Sequence, residues 1–92
     1  MIEMESLRSI SVAKVIEILY KKGRLYESQI SYETRVSARH LSVNVLPKME
    51  KDGIVRSTSD KNKKYYELTD KGQILALALF DTEKLVDSYT NQ

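Results

Sequence analysis

The chain has 92 residues, 41% of them apolar and 30% charged, with 15 Lys and Arg against 13 Asp and Glu. This is one domain of ordinary globular composition. A chain of this length buries only roughly 60–65% of its unfolded surface, so its core is small and pairing with a second copy would help it. It has no cysteine, which excludes disulfides, zinc–thiolate centres and cysteine catalysis and fits a reducing compartment. No apolar run nears the roughly 20 residues that span a bilayer. The N-terminal Met-Ile-Glu-Met-Glu-Ser lacks an apolar signal core, so the expected location is the cytoplasm.

The net charge of +2 is unevenly spread. Residues 1–36 carry 6 basic and 5 acidic residues, residues 37–66 carry 7 and 3, and residues 67–92 carry 2 and 5. A basic middle beside an acidic tail points mildly to a polyanion at the middle segment.

The first periodic stretch runs from about Leu7 to Lys22. Val12, Val15, Ile16 and Leu19 recur at helical spacing, and Lys21-Lys22-Gly23 reads as a helix stop. Leu25 starts a short segment in which residues 27–33 fit a two-turn helix with Ile30 inward. Ser37 is a good N-cap for the next helix, in which Leu41, Val45, Leu46 and Met49 form one apolar face and Lys51-Asp52-Gly53 the end. Pro47 removes a backbone donor within it. The expectation is one helix with a kink or loosened turn between Val43 and Pro47. The alternative is a new segment with Pro47 at its first position.

Residues 54–58 are β-branched and extended, residues 59–63 form a polar turn, and residues 64–68 alternate, which makes a two-stranded hairpin with a lysine-rich tip. Thr69 caps a last helix, with Asp70 in its first turn, that runs to about Ser88. It is apolar nearly all round, more than one small domain can cover.

The order helix, helix, helix, hairpin, helix resembles the winged helix-turn-helix family over about residues 8–88. The most specific stretch is Tyr66-Glu67-Leu68-Thr69-Asp70-Lys71-Gly72, at the passage from the second wing strand into the last helix. It is similar to the same passage in MarR-, ArsR- and PadR-type regulators and in small archaeal winged-helix proteins. The resemblance implies a mainly α fold with a small β-hairpin (α-α-α-β-β-α). It also implies that the third helix, residues 37–52, enters the major groove of DNA, while the wing, residues 58–64, touches backbone or minor groove.

The residues themselves fit that role. Leu41, Val45, Leu46 and Met49 span roughly 140° of the third helix. The opposite side carries Arg39, His40, Val43, Asn44, Pro47 and Lys51, with Lys48 at the margin. Arg suits guanine, Asn suits adenine and Val suits a thymine methyl. Lys48 and Lys51 suit phosphates, as do the free amides of the first turn near Ser37. On the wing, Lys61, Asn62, Lys63 and Lys64 are candidate backbone or minor-groove contacts. The plainer readings are a solvated helix face, and lysines that only protect exposed strand edges.

Other chemistry finds little support. His40 is the single histidine, a poor metal ligand alone, and no cofactor or metal site is expected. Tyr20, Tyr26, Tyr32 and Tyr66 read as core-edge residues with wet hydroxyls rather than as a ligand pocket. There is no glycine-rich phosphate loop, and the one possible histidine base falls on the presumed DNA face, so no enzyme is expected.

The surplus apolar surface of the last helix predicts a homodimer through Ile74, Leu75, Ala78, Leu79, Leu85 and Val86, with residues 70–88 as the dimerisation element of a single domain spanning 1–92. A two-fold dimer sets two recognition helices about one DNA turn apart. The alternative has both faces packed within the monomer. The functional expectation is a small dimeric, sequence-specific regulator bound to double-stranded DNA, with no membrane partner. Two other readings are a winged-helix protein-interaction module in a transcription, replication or chromatin assembly, and a sequence-blind architectural DNA-binding protein. The sequence names no effector.

Overall fold

The computed structural model describes residues 10–81. Helix α1 is Ile10–Lys22, and its buried stripe is Val12, Val15, Ile16 and Leu19. Gly23 takes a φ of 79° and its amide donates to the Leu19 carbonyl at 2.8 Å, which closes the helix. Strand β1 is Leu25–Tyr26 and runs directly into α2, Glu27–Thr34. Helix α3 is continuous but has three parts: an opening turn Ala38–His40, a π turn Leu41–Val45 and a closing α segment Leu46–Lys51. Strands β2, Val55–Asp60, and β3, Lys63–Leu68, form the hairpin, and α4 is Asp70–Phe80.

The sheet has three strands in the order β1-β3-β2, all antiparallel. The sequence reading found two. Leu25 pairs with Tyr66 and Tyr26 with Tyr65, a two-residue bridge too short to show any period of its own. In the β2–β3 ladder, Val55 opposes Leu68 and the pairing continues to Asp60 opposite Lys63. The wing turn is therefore Lys61-Asn62 alone, not the five residues 59–63. Both turn residues have positive φ, 47° and 69°, the geometry that matches the twist of a two-residue hairpin.

One core joins every element. The stripe of α1 meets Ile30 of α2, Leu41, Val45, Leu46 and Met49 of α3, Ile54 and Val55, Tyr66 and Leu68, and Ala76 of α4. Tyr66 is thus a core residue, only 4% exposed, whereas Tyr32 is 83% exposed and no core-edge residue. Tyr32 borders an open surface hollow of about 260 Å³ with Lys22, Leu25, Ser28, Gln29 and Glu33.

The Tyr66–Gly72 stretch locks α4 onto the start of the wing. The Thr69 amide donates to the Ile54 carbonyl at 3.0 Å. The Thr69 hydroxyl lies within reach of the Gly53 and Ile54 carbonyls and accepts from the Gly72 amide at 3.1 Å. Lys71 Nζ donates to the Asp52 carbonyl at 2.7 Å. Gly72 lies inside α4 and is buried.

Helix α4 stops at Phe80, because Asp81 leaves the helical region with φ −149°. It is shorter than the expected 70–88, and Leu85 and Val86 lie outside the described residues. Among the described residues, no helix is long and apolar enough to cross a membrane.

Candidate nucleic-acid interface

The turn between α2 and α3 is set by backbone and short polar side chains. Arg35 ends α2 in the left-handed region at φ 61°, and its amide donates to the Ser31 carbonyl at 2.9 Å. Buried Thr34 donates its hydroxyl to the Ile30 carbonyl at 2.6 Å and accepts from the Val36 amide at 3.3 Å. Ser31 Oγ donates to the Val36 carbonyl at 2.7 Å. With Val36 buried beneath, the chain has one path into α3.

Ser37 caps α3 as expected, its hydroxyl accepting from the His40 amide at 3.1 Å. The loosened turn also exists, displaced toward the N-terminus of its expected place. The Leu46 amide donates to the Leu41 carbonyl, five residues back. Pro47 follows in the first turn of the closing segment, where its missing N–H costs little. The two alternatives for Pro47 therefore combine: one helix, and a proline near the start of its second α segment. The π turn brings Leu41 and Leu46 onto the same buried side, both 0% exposed.

The outward face is the one the periodicity marks. Ser37, Arg39, His40, Val43, Asn44, Pro47, Lys48 and Lys51 are all exposed, while Leu41, Val45, Leu46 and Met49 are at most 3% exposed. Val43 stands 61% exposed in the middle of this polar surface. Asn44 Nδ2 lies 3.0 Å from His40 Nδ1, one turn away on the same face.

The wing cations differ in their surroundings. Lys61 and Asn62 form the tip and are exposed. Lys63 Nζ sits 4.8 Å from the Tyr26 ring centroid and Lys64 Nζ 5.5 Å from that of Tyr66. Both are also exposed, so each ammonium keeps contact with water while it faces an aromatic ring. Tyr26 and Tyr65 meet edge to face at 5.6 Å, and Arg24 stacks over Tyr65 at 4.2 Å while lying 4.0 Å from Asp60.

Arg24 was not singled out in the sequence; only the pairing of β1 with β3 brings it to the wing. Arg56 was also passed over. It pairs across the strands with Glu67 at 2.7 Å. The hydrogen bond and charge of Glu67 raise its pKa further, so this cation is already partnered.

On α4, Ile74, Leu79 and Phe80 are 47%, 51% and 41% exposed, and Ala78 is exposed as well. Leu75 differs: it is half-buried against the core. Ile10, 76% exposed, adds an apolar residue at the start of α1. Among the described residues no cluster of three His, Cys, Asp or Glu is placed to hold a metal.

No protein-family model matches the chain. It is 33% identical over 87 residues to the uncharacterized protein MJ0944 of Methanocaldococcus jannaschii, covering 87% of this chain and 69% of that protein. The crystal structure of the transcriptional regulator PA4135 superposes with a TM-score of 0.75 at 28% identity, covering 94% of this chain and 68% of that one. The chain has the winged helix-turn-helix fold. It belongs to one family with MJ0944.

The same winged-helix fold appears in the MarR family regulator SPO1453 of Silicibacter pomeroyi, with a TM-score of 0.71 at 16% identity over 89% of this chain. The chain spans about three-fifths of several such regulators, 59% of SPO1453 and 57% of AbfR. In winged-helix terms α2 and α3 are the helix-turn-helix, β2 and β3 the wing, and β1 the strand that closes the small sheet.

Proposed function

We propose that this winged-helix chain is a sequence-specific double-stranded DNA-binding regulator that works in the cytoplasm as a homodimer. Helix α3 lies in the major groove, with Arg39, Val43 and Asn44 at base edges and His40 beside them. Ser37, Lys48 and Lys51 meet phosphates, and the wing residues Lys61, Asn62, Lys63 and Lys64 follow the adjacent backbone or minor groove. The whole chain is one domain, and residues 70–88 are its dimerisation element, with Ile74, Ala78 and Leu79 the described residues best exposed for the seam.

One observation carries the reading. Helix α3 seats one side fully in the core and presents the opposite side, with hydrogen-bonding and cationic side chains around one exposed valine, next to a basic hairpin. On a groove-reading face, Val43 at 61% exposure meets a thymine methyl. The regulators PA4135 and SPO1453 support the same class of function.

The test is fluorescence anisotropy of a labelled mixed-sequence duplex titrated with the protein at several salt concentrations. Binding that weakens steeply with salt is expected. No binding at about 50 mM salt, where phosphate contacts are strongest, would overturn the reading in favour of a protein-interaction module.

A further inference from the structure

Within the exposed face of α3, only His40 and Asn44 among the described residues join side chain to side chain. The Asn44 amide nitrogen lies 3.0 Å from His40 Nδ1, and since that nitrogen only donates, the contact is a hydrogen bond in the neutral tautomer that leaves Nδ1 bare. The ring proton then sits on Nε2. This contact fixes which way the Asn44 amide is turned, with one N–H spent on His40. The carbonyl oxygen and the second N–H remain, the acceptor and donor needed to read adenine through N6 and N7.

A protonated imidazole has no acceptor. When His40 takes up a proton, Nδ1 becomes a donor, and only the Asn44 oxygen can face it. The amide must turn over, and the outward pattern is reversed.

We propose that His40 is a positioning residue for Asn44, and that the pair makes adenine recognition by this helix depend on proton uptake at His40. This rests on the DNA-reading role of α3. Histidine is the side chain whose charge changes between about pH 5 and 8.

On the helix that bears His40 the charged neighbour is Arg39, the π turn, Leu41–Val45, has no titratable side chain, and the closing segment carries Lys48, Glu50 and Lys51. Helix α2, packed against α3, contributes Glu27 and Glu33, with Arg35 at its end, and Glu33 is paired with Lys22 at 3.1 Å. None of these forms an ion pair with His40 among the described residues.

The two consequences of protonation run in opposite directions. The added positive charge strengthens attraction to phosphate for every sequence. The reversed amide weakens the preference for adenine. At acid pH the protein therefore binds DNA more tightly but chooses less well, a signature that general electrostatics or partial unfolding does not produce.

The experiment selects bound duplexes from a randomised library at about pH 8, then measures affinity for the preferred duplex and for single-base variants at about pH 8 and about pH 5.5. The expected result is one adenine position whose discrimination falls about tenfold at the lower pH, while overall affinity rises. His40→Gln retains an acceptor that can face Asn44 and cannot titrate. It should keep the preference and make it flat with pH. His40→Phe should lose the preference at both pH values.

A preference equal at both pH values in the wild type would overturn the proposal alone, since binding itself would persist. Absence of salt-dependent binding at either pH would overturn the DNA reading as well. A second measurement needs no DNA. His40 is the sole histidine, so a long-range proton–nitrogen correlation spectrum of the free protein reports one ring. It should show the proton on Nε2 at about pH 8; a proton on Nδ1 would overturn the proposal.

Discussion

Gly72 abuts the main-chain carbonyl of Ile54 so closely that any side chain on it would overlap that oxygen. The contact holds α4 against the residue where the wing begins. Ile54 is 0% exposed, its carbonyl already accepts from the Thr69 amide, and Leu68 Cδ2 crowds the same spot. None of these neighbours has room to yield. In a free helix Gly→Ala gains about 1 kcal/mol. Here Gly72→Ala is expected to destabilise by about 1–3 kcal/mol, read as a lower midpoint in urea unfolding with an unchanged slope.

The wing turn trades stability against charge. Lys61 occupies the left-handed region at φ 47°, where a side chain is strained and Asn-Gly is the favoured pair. The double variant Lys61→Asn with Asn62→Gly should gain about 0.5–1 kcal/mol of stability. It should also lower the salt slope of DNA binding by about one unit, because one tip cation is lost. Lys63→Ala should lower the slope similarly but lose about 0.5 kcal/mol, since its contact with Tyr26 goes too. Thermal melts and anisotropy on the same samples separate the two effects.

Arg39→Ala and Asn44→Ala alter exposed side chains that bear no part of the core. Each should leave the melting temperature nearly unchanged and cost about 1–3 kcal/mol of discrimination at one base pair. Lys48→Ala should weaken all duplexes alike. Competition binding with point-variant duplexes distinguishes them.

Leu79 is 51% exposed, so an acid there does not disturb the monomer's core. Leu79→Asp should therefore split a dimer without unfolding the chain. Sedimentation at micromolar concentration should show a dimer in the wild type and a monomer in the variant, with circular dichroism unchanged. A wild-type monomer throughout that range would remove α4 as the seam.

Burial pushes the Tyr66 hydroxyl's pKa above its ordinary value, with the nearby Lys64 charge offsetting part of the effect. A phenol harder to ionise in the folded state than in the unfolded state stabilises the fold at lower pH. That contribution is complete below the unfolded value of about 10 and is lost as pH rises through the folded one. Stability should fall above about pH 10, and Tyr66→Phe should flatten that fall in urea titrations run across the alkaline range.

Where residues repeat with a period, the sequence was a good guide. The stripe of α1 and the two faces of α3 follow from spacing alone, and Ser37 and Thr69 are caps because a hydroxyl stands where free amides begin. What escaped has no local signature. Leu25–Tyr26 is too short to alternate and is a strand only because Tyr65 and Tyr66 lie beside it. The wing turn looked long because Lys61-Asn62 lacks the glycine that usually marks a two-residue turn. Gly72 bears no local sign of its use, which only the nearness of Ile54 reveals. Within the candidate interface, which side chains of α3 face outward was legible. Partnerships were not: His40 with Asn44, Lys63 with Tyr26 and Arg24 with Tyr65 depend on rotamers and on a third strand.

The five-residue turn at Leu41–Val45 divides α3 into two short rods joined by a collar. One rod carries Arg39 and His40, the other Lys48 and Lys51, and Val43 and Asn44 sit on the collar between them. The opening rod, Ala38–His40, buries no residue, whereas Leu41 and Val45 seat the collar and Leu46 and Met49 hold the closing rod in the core, so the opening rod is the part that moves without disturbing the core. DNA grooves vary in width and curvature with sequence. In the proposed complex the base-reading end can follow that variation while the phosphate-gripping end stays seated, and the flexure falls where the backbone ladder is already one residue loose.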